Sequence, residues 1–183
     1  IYALVGYRSR LGDGFLVTGD LGGVTPEPPI VGGHEGAGVV VEVGAGVTTL
    51  APGDHVVFGF IPACGRCPSC ASGHSNLCDV GGAAFPTGRQ ISDGTARHHT
   101  AAGEDLGLMC LLGTFANHTV VHESSCVKID KDIPFDRAAL VGCGVTTGVG
   151  AALNTARVAP GSSVAVFGCG GVAEKNGRKR KNE

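Results

Sequence analysis

The chain has 183 residues, 43% hydrophobic and 16% charged, with a formal net charge of −2, the balance of a globular protein with enough chain for one domain, or for one domain and part of another. No run of apolar residues approaches the roughly 18 of a membrane span, and the 32 glycines follow no triplet or short repeat, which excludes a collagen-like or low-complexity chain. Tight turns between short strands account for so much glycine, so the fold is expected to be β-rich. With no Trp, seven Phe and two Tyr, its core must come from Val, Ala, Leu and Ile.

Tyr2 to Val5 and Phe15 to Val17 read as short strands, the second alternatively as the start of a helical turn; the Gly, Asp and Pro between them defeat a clear period. Gly32-Gly33-His34-Glu35-Gly36-Ala37-Gly38 then enters Val39 to Val43, a β-branched run predicted as a buried strand. The turn Pro52-Gly53-Asp54 leads into a strand over His55 to Phe60. Residues 79–113 show no period and are expected to form a long loop. Strands are predicted at Phe115 to Val121 and Cys126 to Ile129. A short helix follows Pro134 and runs to Leu140, a second covers Thr146 to Ala156, and a strand occupies Val164 to Phe167.

Cys64, Cys67, Cys70 and Cys78 stand three, three and eight positions apart among Gly, Pro and Ser. Packing does not explain thiols that recur in turn-rich polar sequence; ligation does. Four thiolates suit a closed tetrahedral Zn²⁺ site, whose ion contributes folding energy to a lobe poor in apolar residues. An iron–sulfur cluster would place its last Cys four positions on and before a Pro, whereas Cys78 precedes Asp79. Disulfides call for an oxidising compartment, and no secretory leader is legible, so the expected location is cytoplasmic.

The strand at Val164 to Phe167 runs into Gly168-Cys169-Gly170-Gly171-Val172-Ala173, the opening of a Rossmann unit, in which glycines let backbone amides approach a pyrophosphate at a helix N-terminus. The sequence ends ten residues later, before the acidic residue expected about 20 positions on. Lys175, Arg178, Lys179, Arg180 and Lys181 form a basic tail that reads as solvated, and Arg66 is the only Lys or Arg between Cys64 and Cys78. No nucleic-acid or membrane partner is therefore expected. Cys110 and Cys126 read as small core residues, and His98, His99 and His118 as surface or internally satisfied side chains.

Taken together, Gly33 to Gly38, the cysteine tetrad, Leu140 to Gly148 and Val166 to Val172 stand in an order that resembles the zinc-dependent medium-chain alcohol dehydrogenases, closest to the branch with class III alcohol/formaldehyde dehydrogenases. The resemblance runs from about Leu16 to Val172. It implies a β-rich α+β fold: a GroES-like catalytic domain over 1–145, with a structural zinc lobe at 61–79, then the truncated start of a Rossmann domain over 146–183. It also implies NAD as cofactor, a small alcohol or aldehyde as substrate, hydride transfer from a zinc alkoxide and a homo-oligomeric parent enzyme.

By the same resemblance the tetrad holds structural zinc, His34 and Cys143 are ligands of a catalytic zinc, and Glu35 is the acidic neighbour behind that metal. Thr147 lies beside the nicotinamide, and Gly168, Gly170, Gly171 and Val172 form the pyrophosphate turn. Two departures are plain. The family's first catalytic ligand is a Cys well upstream of the histidine, and no Cys precedes Cys64; Tyr7, Arg10 or Asp13 falls in its place. The relay serine and histidine, expected near Gly12 and Phe15, are missing too. Impaired activity in this truncated chain is thus the expectation, and a non-catalytic, zinc-stabilised fragment is the alternative.

Overall fold

The structure is a computed structural model that describes residues 2–3 and 29–167. The expected strand at Phe15 to Val17, the candidates Tyr7, Arg10 and Asp13, the glycine turn Gly168 to Val172 and the basic tail lie outside the described residues. The strands among the described residues are all short, two to four residues each, as the glycine content led one to expect. Among the described residues, β1 (Tyr2–Ala3) pairs antiparallel with β7 (Thr119–Val120). In a second sheet β6 (Asp105–Leu108) lies between β2 (Ile30–Val31), parallel to it, and β5 (His98–His99), antiparallel. In a third, β4 (His55–Phe58) lies between β3 (Ala37–Val39) and β8 (Cys126–Lys128), all antiparallel.

Strand β4 positions everything that follows. Its side chains alternate between two apolar clusters, as a period of two requires. Val56 and Phe58 enter a core with Val40, Leu50, Met109, Cys110, Leu112 and Val121. Val57 enters a second core with Ala37, Ala138 and Ala139. Burying a Val or Phe side chain contributes about 1.5–3 kcal/mol, so β4, with Val56, Val57 and Phe58 all buried, is the strand that both cores depend on.

A 21-residue helix, Phe135–Thr155, lies on the second cluster. Pro134 precedes it, and Asp136 sits in its first turn, where the helix dipole favours an anion. Two helices were expected here, parted at Cys143. Instead one helix passes through, widening to π-type turns at Val141–Val145 and Ala151–Thr155. Glycines at 142, 144, 148 and 150 do not break it, because tertiary contacts override their low propensity. By length and composition alone it would suffice to cross a membrane; its buried residues Ala138, Ala139, Gly144 and Gly148 all face protein.

Three expectations from sequence are corrected. The stretch 79–113, read as a loop, contains a helix at Asp79–Ala84, strands β5 and β6 and the buried turn Met109–Leu111. Within that turn Cys110 (φ 54°) and Leu111 (φ 60°) adopt left-handed backbone, a conformation that costs about 1–3 kcal/mol per non-glycine residue and leaves no hydrophobic period to read. The strand expected at Val39 to Val43 stops at Val39, and Val41 turns outward. Residues 162–166 form no strand, and Phe167 is 97% exposed. A buried parallel strand needs neighbours on both edges, and none among the described residues pairs with this segment.

Candidate metal centre and the histidine turn

The four sulfur atoms of Cys64, Cys67, Cys70 and Cys78 all lie within 4.8 Å of one another. Local structure explains how. Gly65 (φ +74°) turns the chain sharply after Cys64, so the Cys67 amide donates back to the Cys64 Sγ at 3.3 Å. Pro68 then starts the helical turn α1, Pro68–Ala71, with Cys67 as its N-cap: the Cys67 Sγ accepts from the Cys70 amide at 3.4 Å. Cys78 does the same for α2, Asp79–Ala84, accepting from the Gly81 amide at 3.4 Å.

The amides of Cys64 and Asp79 reach the sulfurs of Cys78 and Cys67, each at 3.4 Å. Backbone N–H groups that converge on sulfur are what thiolates need when they leave water. Asp79 adds a second tie: its carboxylate accepts from the Ser69 hydroxyl at 2.7 Å, joining the two halves of the lobe. That hydroxyl also leads the causes that hold the Asp79 carboxyl below the ordinary carboxylate range.

The protonation pattern is uneven. Amides of Arg66 and Cys67 hold the Cys64 thiol down at about 6. Burial, with the neighbouring Cys67, pushes Cys70 up to about 12. Burial opposes ionisation of Cys78 as well, but the Cys64 and Gly81 amides outweigh it and the net direction is downward. Four thiols at this spacing cannot all ionise without a cation among them. A tetrahedral ion with Zn–S bonds of about 2.3 Å sets its ligands roughly 3.8 Å apart, and the Cys67 and Cys78 sulfurs are 4.0 Å apart. The tetrad therefore fits a metal ion such as Zn²⁺ in distance and in donor chemistry.

The second site candidates lie on the turn between β2 and β3. His34 and Glu35 are both buried, at 6% and 4% exposure. Two backbone bonds hold the turn, from the Thr114 amide to the Gly33 carbonyl at 3.0 Å and from the Phe115 amide to the Gly32 carbonyl at 2.9 Å. Gly33 (φ +87°) has no room for a side chain, since a Cβ there would lie 2.6 Å from the Thr114 hydroxyl. Gly36 has none either, because its Cβ would lie 2.6 Å from the Thr114 methyl. One buried threonine thus straddles the His34-Glu35 pair. The His34 ring stands edge-on to Phe60, with centroids 5.9 Å apart.

Cys143 reaches this turn on the long helix, α3 (Phe135–Thr155). A Cβ on Gly142 would come within 2.1 Å of the Phe58 carbonyl oxygen, so glycine alone lets the helix pass this close to β4. The Gly144 amide donates to the Glu35 carboxylate at 2.8 Å. The Thr146 hydroxyl donates to the Cys143 carbonyl at 2.9 Å.

The segments of His34, Glu35 and Cys143 are thereby brought together. Among the described residues, however, only the cysteine tetrad gathers three or more His, Cys, Asp or Glu donors closely enough to hold an ion. His34 and Cys143, expected by resemblance to be two of the three protein ligands usual for a catalytic zinc, belong to no such group among the described residues. Thr147 lies exposed one residue beyond Thr146. The contacts that Thr114, Phe58 and Gly142 make at this site were not found from sequence: a threonine before Phe115 carries no pattern of its own, and the glycine beside Cys143 does not say what it packs against. The Gly-Cys-Gly around Cys143 was the one available signal.

The family model described as the alcohol dehydrogenase GroES-like domain matches residues 12–131. The chain is 56% identical over 160 residues to alcohol dehydrogenase B of Mycobacterium tuberculosis, covering 87% of this chain and 42% of that protein. To S-(hydroxymethyl)glutathione dehydrogenase of Saccharomyces cerevisiae it is 51% identical over 154 residues, 83% of this chain and 40% of that protein. Among solved structures, an alcohol dehydrogenase zinc-binding domain protein from Burkholderia ambifaria matches at a TM-score of 0.77 and 37% identity, over 93% of this chain and 45% of that one. Benzyl alcohol dehydrogenase from Acinetobacter calcoaceticus matches at 0.70 and 29%, over 95% and 45%. The chain spans less than half the length of the curated relatives it matches.

Proposed function

Since the chain belongs to the alcohol dehydrogenase family with a GroES-like domain, we propose that it is the substrate-side half of a zinc-dependent, NAD-linked alcohol dehydrogenase acting on a small alcohol or its aldehyde. The observation that carries the reading is the cysteine tetrad, four converging sulfurs served by backbone amides, set in a chain that matches this family along most of its length. Cys64, Cys67, Cys70 and Cys78 hold a structural Zn²⁺, which closes the lobe and supplies its folding energy.

In an enzyme of this kind a second metal supplies Lewis acidity toward the alcohol, and nicotinamide accepts the hydride. What this chain contributes is placement. His34 stands on a turn that admits no side chain at Gly33 or Gly36, Cys143 stands on a helix seated against β4, and the phenyl ring of Phe60 lies beside the imidazole. Two ligands with water hold zinc far more weakly than three, so no chemical step is assigned to a metal at His34 and Cys143.

Metal counting and turnover test the reading together. The purified chain is expected to carry one tightly held zinc, against two for a complete enzyme of this type, and to show no steady NAD-dependent oxidation of a primary alcohol. A chain that folds cooperatively without metal refutes the zinc lobe. Sustained turnover refutes the expectation of impaired activity.

A further inference from the structure

The contacts around Cys143 close on themselves. The Phe58 amide donates to the Gly36 carbonyl at 3.0 Å, and the Phe58 carbonyl is the atom against which Gly142 is pressed. Two residues further along the helix, the Gly144 amide donates to the Glu35 carboxylate, and Glu35 is bonded in sequence to Gly36. Six residues, Glu35, Gly36, Phe58, Gly142, Cys143 and Gly144, thus form a ring with His34 at its edge. Every link is backbone except one, the carboxylate of Glu35.

That link falls where the helix is irregular. Val141–Val145 is a π-type turn, in which backbone bonds span one residue more than in an α-helix. Such a turn displaces backbone groups from the α-helical pattern, and where a displaced group is buried it needs a partner from outside the helix. Gly144 is buried, so its amide needs an acceptor; leaving a buried donor unpaired costs about 1–3 kcal/mol. Glu35, 4% exposed, is the side chain that provides it.

We infer that Glu35 is a positioning residue: by accepting the Gly144 amide it keeps the helix widened at Cys143 and fixes the spacing of His34 and Cys143 before any ligand arrives. The inference deepens the proposed function, because the pair so positioned is the one assigned to the reaction pocket, but the ring of contacts belongs to the protein alone. The assignment differs from the expectation drawn by resemblance, in which Glu35 acts behind or on the metal. A residue acting on the metal must keep its charge. A residue accepting an amide needs only an oxygen at the right place.

Substitutions that separate oxygen from charge decide the matter. Glu35→Gln keeps an acceptor and loses the charge; Glu35→Met keeps the volume and loses the acceptor; Glu35→Ala loses both. The first readout is hydrogen exchange of the Gly144 amide in the metal-loaded chain, followed by NMR. Exchange is expected to quicken by about tenfold or more in the Met and Ala variants, as when a local opening is no longer opposed, and to stay within about threefold of the parent in the Gln variant. The second is the thiolate-to-cobalt absorption of a Co²⁺ equivalent added after the tetrad is filled, expected to weaken in affinity by about tenfold in the Met and Ala variants.

Should Glu35→Ala fail to fold, Glu35→Met against Glu35→Gln carries the same comparison. Unchanged exchange in the Met or Ala variant overturns the inference, as does a Gln variant that exchanges as fast as either. If no second equivalent of cobalt binds to any form, the pocket reading of His34 and Cys143 fails, while exchange at Gly144 still decides whether Glu35 holds the turn.

Discussion

Changing Gly142 to Ala adds one methyl group at the point where helix α3 crosses β4, and the structure gives its cost. The new Cβ would lie 2.1 Å from the Phe58 carbonyl oxygen, where ordinary contact begins at 3.4 Å, so strand and helix must part by more than an ångström. Neither side yields easily. Phe58 is 2% exposed, within the principal core, and the helix is tied down by Ala138, Ala139 and the Glu35 bond. Overpacking of this kind costs typically 1–3 kcal/mol, and backbone against backbone belongs at the upper end, about 3 kcal/mol. For a chain of this length that lowers the melting temperature by roughly 6–12 °C.

The control is the same change eight residues on. A Cβ on Gly150 meets only the side-chain amide of Asn154, at 3.8 Å, so Gly150→Ala should gain the helix propensity of alanine, about 0.5–1 kcal/mol, and melt slightly above the parent. Far-UV circular dichroism melts of the three zinc-loaded proteins make the comparison. If Gly142→Ala melts within about 2 °C of the parent, or above Gly150→Ala, the close crossing of helix and strand is refuted.

Stripping the metal with a chelator is expected to open the lobe 61–79 to proteolysis between Cys64 and Cys78 while the β3–β4–β8 sheet persists; full protection of the stripped lobe would count against metal as its organiser. Lys128 on β8 bonds Asp54 at 2.8 Å and, with the Ala51 amide, holds the Asp54 carboxyl below its ordinary range. A lowered carboxylate contributes stability present above the unfolded value, about 3.9, and lost as pH falls through the folded one. The stability advantage of the parent over Lys128→Ala should therefore be constant near neutrality and vanish in acid below about pH 4, as followed by urea denaturation; a gap that widens in acid contradicts the assignment. Burial pushes the Cys126 thiol up to about 12, so iodoacetamide at mildly alkaline pH should leave it unmodified in the native chain and modify it after denaturation, read by peptide mass spectrometry.

How far the sequence was legible depended on whether a residue's role is local. The cysteine tetrad was readable because its geometry is set within the segment itself: Gly65 and Pro68 shape the turns that aim the amides at sulfur, and both stand beside the thiols they serve. The same metal lobe misled the reading just downstream. Helix α2 has no apolar period, since Asp79-Val80-Gly81-Gly82-Ala83-Ala84 is capped by the Cys78 sulfur rather than driven by a hydrophobic face, so residues 79–113 passed for a loop. Val164 to Phe167 failed in the opposite sense. Its β-branched run was a fair sign of a strand, but a parallel strand exists only through its neighbours, and pattern alone does not supply them.

The site around His34 shows the harder limit. Glu35 and Gly144 are 109 residues apart and joined by a single bond, and Thr114 enters the His34 turn from a third segment. None of these contacts has a period. What the sequence did carry was their steric shadow, glycine at 33, 36 and 142, each at a place where another residue's atoms fill the space a side chain would need. Such glycines were first counted as turn formers, yet at Gly36 and Gly142 the backbone has no positive φ and the reason for glycine is close approach alone. A glycine flanking a candidate ligand is thus better read as a sign that a second segment passes within van der Waals reach, and in this chain the segments so marked are the ones that the Glu35–Gly144 bond joins.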